Sequence, residues 1–97
     1  MAERDNDETH ELFEKYNDEY LKFELVSNKE SKRPDLCAFI ILDNLFQSDS
    51  DMVSGSSHDE IYLDITDEQA NTIPENIIAD LVRCGVSHNN EGLWMFS

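Results

Sequence analysis

The segment QSDSDMVSGSSHDE, residues 47–60, holds the densest set of chemically capable side chains in the sequence: four acids, five serines, a histidine and no base. Calcium binding is the first chemistry it suggests. A twelve-residue frame opening at Asp49 puts Asp49 at position 1, Asp51 at position 3 and Glu60 at position 12, all ligand positions of an EF-hand loop. The middle fails. Val53 stands at position 5, Ser54 holds the turn position that requires glycine, and Gly55 falls one place late. Ser54, Ser56, Ser57, His58 and Asp59 contain the letters of a nucleophile, a base and an orienting acid. Neighbours in one loop seldom reach that geometry, and neither a G-x-S-x-G turn nor a P-loop is present. Ser48 and Ser50, set among acids, are candidate phosphorylation acceptors, against the plainer reading of an unmodified loop.

Zinc would need more soft ligands than the chain brings together. Cys84 and His88 have a C-x₃-H spacing, but Cys37, His10 and His58 are scattered and no C-x₂-C pair exists. The sequence therefore calls for no cofactor and no enzymatic activity. Cys37 and Cys84 both lie in apolar stretches, which favours reduced core thiols over a bridge.

Charge is the stronger signal. Twenty-two acids oppose seven bases, for a net charge of −15 in 97 residues. Residues 34–82 contain eleven acids and not one Lys or Arg. Such a field repels nucleic acid and anionic membrane, attracts basic surfaces and accelerates association with them by about 10–10³ at low salt. The plain alternative is that charge serves solubility alone. The N-terminal residues MAERDNDETHE lack the basic and apolar regions of a signal peptide, and no apolar run is long enough to span a bilayer. The expected location is the cytoplasm.

These side chains need elements to hold them. The length suits one domain, which at this size buries roughly 65% of the surface its unfolded chain exposes. Residues 1–7 read as frayed. Residues 8–18 read as a helix, with Leu12, Phe13 and Tyr16 on one face and Glu11–Lys15 as an i,i+4 pair. YLKFELV at 20–26 alternates as a strand, although Leu12, Tyr16, Tyr20 and Phe23 also fit a continuing helical stripe. Residues 27–34 form a polar connection. DLCAFIILDNLF at 35–46, after Pro34, reads as a helix apolar almost all round and so buried on most sides. Residues 47–59 become a long acidic loop.

EIYLDI at 60–65 alternates as a strand. Thr66 with Gln69 forms a capping box for a short helix at 67–72, and Thr72 with Glu75 forms a second one before a helix at 73–84. Gly85 stops that helix and Arg83 suits its C-terminal dipole. The end reads as a hairpin, with strands at 86–88 and 93–96. The fold class is α+β: helices packed on an antiparallel sheet that ends in a C-terminal β-hairpin.

From residue 35 onward the order helix, strand, helix, helix, two-stranded wing is that of a winged helix. In a DNA reader the second helix of the pair would enter the major groove. Here that helix carries Glu75 and Asp80, with Arg83 only at its end, which conflicts with the electrostatics of DNA binding. If the winged topology is present, it would serve protein contact or none.

DMVSGSSHDEIYLDI followed by DLVRCGV resembles stretches of small uncharacterised acidic proteins encoded by phages. That resemblance implies a bacterial cytoplasm and an accessory factor that works by binding. Several small acidic phage proteins block host nucleic-acid-binding enzymes.

The expectation is therefore a non-enzymatic acidic protein that mimics nucleic acid. Duplex DNA carries a charge about every 1.7 Å along its axis, and this chain spreads acids over its helices and strands. The expected partner is a basic, nucleic-acid-handling protein, with no direct contact to nucleic acid. The expected contact residues are Asp43, Asp49, Asp51, Asp59, Glu60, Asp64, Asp67 and Glu68. The alternative is an accessory or structural interaction protein, homodimeric through an apolar patch at Trp94, Met95 and Phe96.

Overall fold

Helix α4, Glu75–Arg83, buries Ile78, Leu81 and Val82 along one side. Their i, i+3, i+4 spacing sets an apolar stripe against the core. Gly85 ends the helix at φ +99°, a left-handed conformation that glycine adopts without steric cost. The computed structural model describes residues 4–27, 29, 31–57, 59–89 and 92–96. Beyond Gly85 the chain turns into β3, Val86–Asn89, and then β4, Gly92–Phe96. Strand β4 lies between β3 and β2, Glu60–Leu63, and β1, Val53–Ser57, adds to the outer side of β2. All three pairings are antiparallel.

The sheet turns Leu63, Val86, Leu93 and Met95 inward. Helix α2, Pro34–Leu45, adds Cys37, Ala38, Ile41 and Leu42, and α1, Asn6–Lys15, adds Phe13. Each buried Leu or Ile in this cluster contributes about 1.5–3 kcal/mol. Helix α3, Asp67–Ala70, starts on the expected capping box: Gln69 N–H donates to Thr66 Oγ1 at 3.1 Å and Thr66 N–H to Gln69 Oε1 at 2.9 Å. The α+β class and the closing strand pair are as expected. From α2 onward the order is α2, β1, β2, α3, α4, β3, β4, with a two-stranded hairpin where the expected winged order has a single strand. No described helix is long and apolar enough to cross a membrane.

Several local expectations fail. Residues 20–26 are not a strand. Two 3₁₀ turns, Asn17–Glu19 and Phe23–Leu25, flank Leu21, whose φ is +60°. A 3₁₀ helix repeats every three residues, so the core receives Tyr20, Phe23 and Val26 while Leu21 and Leu25 stay exposed. Residues 4–7, expected to be frayed, are held in the fold, while residues 1–3 lie outside the described residues. Asp5 and Glu8 form a capping box on α1, and the Arg4 guanidinium donates to the Ile73 carbonyl at 2.6 Å and the Ala70 carbonyl at 3.1 Å. Lys15 pairs with Glu75 at 2.9 Å rather than with Glu11. The second capping box does not form either. Pro74 holds the N-cap of α4 without a side-chain bond, and the Thr72 hydroxyl donates to the Gln69 carbonyl.

The 47–59 loop contains strand β1. Its residues are mostly exposed, so it lacks the apolar alternation that marks a strand in sequence, and backbone pairing with β2 holds it. A shift in register between Val53 and Gly55 bends this edge. His58 lies outside the described residues, as do Asn90 and Glu91 of the expected C-terminal turn.

Candidate functional site

Helix α2 is less enclosed than its composition implies. Cys37, Ala38, Ile41 and Leu42 are buried, Phe39 and Ile40 are only half-buried, and Leu36 and Leu45 are exposed. Its open side forms one wall of a groove of about 270 Å³, lined by Phe39, Ile40, Asp43, Phe46, Ser48, Ser50, Met52 and Asp64. The other wall is the 46–52 connection. The Asp64 N–H donates to the Met52 carbonyl at 2.7 Å, which ties that wall to the end of β2. The Ser50 N–H donates to Ser48 Oγ at 3.1 Å and turns the connection inward. Phe39, Phe46 and Met52 pack on the core, so the floor is fixed.

The eight expected contact acids do not converge on one point. Asp43 and Asp64, far apart in sequence, line the same groove. Asp49 and Asp51 alternate with the groove residues Ser48, Ser50 and Met52. Asp59 and Glu60 sit at the opposite end of the four-residue β2 from Asp64, about 13 Å or more away at the usual rise per residue. Asp67 and Glu68 lie in the first turn of α3, where their charge suits the helix dipole, and Asp67 accepts from Asn6 Nδ2 at 3.3 Å. All eight are exposed except Glu60, which is half-buried and accepts from the Tyr62 hydroxyl at 3.2 Å. Among the described residues, no Lys or Arg forms an ion pair with any of them.

The ion pairs lie elsewhere. Arg83 contacts Glu19 at 2.6 Å and Asp80 at 3.0 Å. The Asp80 carboxylate is buried and also accepts from the Ser27 hydroxyl at 2.7 Å, so it belongs to the core and not to an acidic surface. The Tyr16 hydroxyl and Lys15 Nζ, at 2.5 and 2.9 Å, both donate to Glu75 and hold its carboxyl below the ordinary carboxylate range.

A second cavity, of about 420 Å³, lies between α1 and β3. His10 and His88 meet there with Nδ1 atoms 3.1 Å apart, and His10 Nε2 contacts Glu14 at 2.8 Å. Burial, then the neighbouring His10, pushes His88 below its ordinary range. Trp94 Nε1 is buried beside them without a partner among the described residues. No group of three His, Cys, Asp or Glu side chains suited to a metal occurs among the described residues. Cys84 and His88 are not drawn together as ligands: Cys84 neighbours Cys37, while His88 faces His10.

The expected apolar patch divides. Met95 belongs to the core, while Phe96 is 59% exposed and meets half-buried Trp94 edge to face, ring centroids 4.8 Å apart. Strand alternation separates them, since side chains one residue apart point to opposite faces. Sequence reasoning missed the His10–His88 contact, for which spacing gives no signal. It also missed the groove, whose one legible clue was more apolar surface on α2 than one buried side needs. No family model matches the chain, and neither a curated protein nor a solved structure matches it.

Proposed function

We propose that this protein is a non-enzymatic acidic binder that occupies the nucleic-acid-binding cleft of a basic protein and blocks it competitively. One observation carries the reading: the eight acids along α2, the 46–52 connection, the β1–β2 hairpin with its end at Asp64, and α3 are free of basic partners among the described residues, while the ion pairs engage Glu19, Glu75 and Asp80 on the α1–α4 side. A surface built for solubility alone mixes charges of both signs, whereas this stretch holds eleven acids and no base. Asp43, Asp67 and Glu68 sit on helices and Glu60 on a paired strand, which keep their spacings fixed, as a phosphate backbone does. The resemblance to small acidic phage proteins supports the same reading and would imply a partner from a bacterial host.

Capture from a bacterial lysate on the immobilised protein tests it. Basic nucleic-acid-handling proteins should be retained at ~50 mM salt and released at ~500 mM salt or by duplex DNA. Retention that neither salt nor DNA disturbs contradicts the reading.

A second reading rests on Phe96. That exposed ring, packed on Trp94, gives an apolar contact for a second copy or another protein, with charge serving solubility.

A further inference from the structure

We infer that the groove between α2 and the 46–52 connection seats an arginine side chain of the basic partner, an inference that rests on the function proposed above. Helix α2 is apolar on nearly every side, yet the core takes only Cys37, Ala38, Ile41 and Leu42. The remaining apolar surface at Phe39, Ile40 and Phe46 stays half-open, and Met52 closes the floor. A half-open apolar floor is suited to cover by something from outside.

The rim says what covers it. Asp43 and Asp64 stand at the groove, no Lys or Arg among the described residues lines it, and Ser48 and Ser50 add hydroxyl acceptors. An occupant must combine an apolar stem with a cationic, multiply donating head. Lysine and arginine both have the stem. Two phenylalanine rings favour arginine, because guanidinium is planar, stacks on aromatic faces and is more weakly hydrated than ammonium. Its five donors can serve two carboxylates and a hydroxyl together. Packing of Phe39, Phe46 and Met52 on the core preforms the site, which lowers the ordering cost of binding. A second copy is a poor occupant, since it would bring −15 against −15.

The probes are octa-arginine and octa-lysine peptides, titrated at ~50 mM salt where screening is weak. The full chain is compared with the variants Asp43→Asn/Asp64→Asn, Ser48→Trp and Glu11→Gln/Asp18→Asn. All five positions are exposed, and circular dichroism checks that each variant keeps the fold. The wild type should bind octa-arginine about tenfold tighter than octa-lysine. Asp43→Asn/Asp64→Asn should cost about tenfold for octa-arginine and abolish the preference. Ser48→Trp, which obstructs the groove without changing charge, should also abolish it. The Glu11/Asp18 pair removes the same charge elsewhere and should cost both peptides about twofold.

Equal losses from the two charge-removing pairs, or no preference for arginine in the wild type, overturn the groove and leave the diffuse acidic surface standing. Failure of both peptides to bind the wild type at low salt removes the acidic-binder reading itself. Self-association in sedimentation that Ser48→Trp abolishes assigns the groove to a second copy and also overturns the arginine.

Discussion

The Nδ1 atoms of His10 and His88 lie 3.1 Å apart, so one must donate and the other accept. Glu14 contacts the far side of His10 at 2.8 Å, Phe13 stacks on His88, and Asp67 acts on His88 from the start of α3, favouring its charged form. Burial and His10 outweigh Asp67 and hold the folded-state pKa of His88 below the ordinary histidine value of about 6.5. The unfolded chain therefore binds the proton more readily, and stability rises with pH through that window. The contribution is complete above about 6.5 and falls away as pH drops toward the folded value. Glu75, also depressed, acts in a separate and lower window. Urea midpoints measured from pH 8 to 5 should fall toward acid, and His88→Gln should flatten that slope. An unchanged slope in the variant contradicts the assignment.

Asp80 should be the most costly carboxylate to remove. It is 1% exposed and accepts from the Ser27 backbone and hydroxyl and from Arg83. Through Arg83 and Glu19 the same network fastens the first 3₁₀ turn to α4. Asp80→Ala leaves those donors without their acceptor and should cost about 3 kcal/mol, read from urea unfolding. Asp80→Asn keeps an acceptor and should cost less. A loss under about 0.5 kcal/mol for the alanine variant would place Asp80 among ordinary surface residues.

Cys37 and Cys84 should be inert in the folded protein. Both are buried thiols outside any disulfide. Burial, then the neighbouring Cys37, pushes the Cys84 thiol up to about 12, so almost no thiolate forms near neutrality. A thiol-reactive probe at pH 8 should label neither residue until urea unfolds the chain, and labelling should track the unfolding curve. Fast labelling of the native state would contradict the packing around α2 and α4.

Phe96 separates the two readings of the surface. It is 59% exposed at the end of β4. If the acids carry binding, Phe96→Ser leaves partner capture within about twofold and leaves the sedimentation coefficient unchanged. If the apolar contact carries it, the same variant abolishes assembly while the charge variants do little.

The fold was legible where periodicity and stop signals agreed. Helix α4 shows its apolar row and Gly85, β2 alternates, and Thr66 with Gln69 marks the start of α3. It was illegible where tertiary contacts override local pattern. Leu21, Phe23 and Leu25 alternate as a strand would, but no sheet edge receives them, and 3₁₀ turns instead deliver Phe23 and Val26 to the core. Strand β1 has no apolar side to announce it, because only its backbone pairs. For the contact acids, their number and the absence of bases among them could be read directly from residues 34–82. The sequence could not show that Asp43 and Asp64 share one groove, since that depends on how α2 packs beside the end of β2.

Competition on DNA tests the central claim most directly. A basic protein captured by this chain is bound to a labelled duplex, and the acidic protein is titrated in at ~50 mM and ~500 mM salt. Blocking by mimicry predicts stoichiometric release of the duplex at low salt, with inhibition weakening steeply at high salt. A stable ternary complex, or inhibition indifferent to salt, would contradict it.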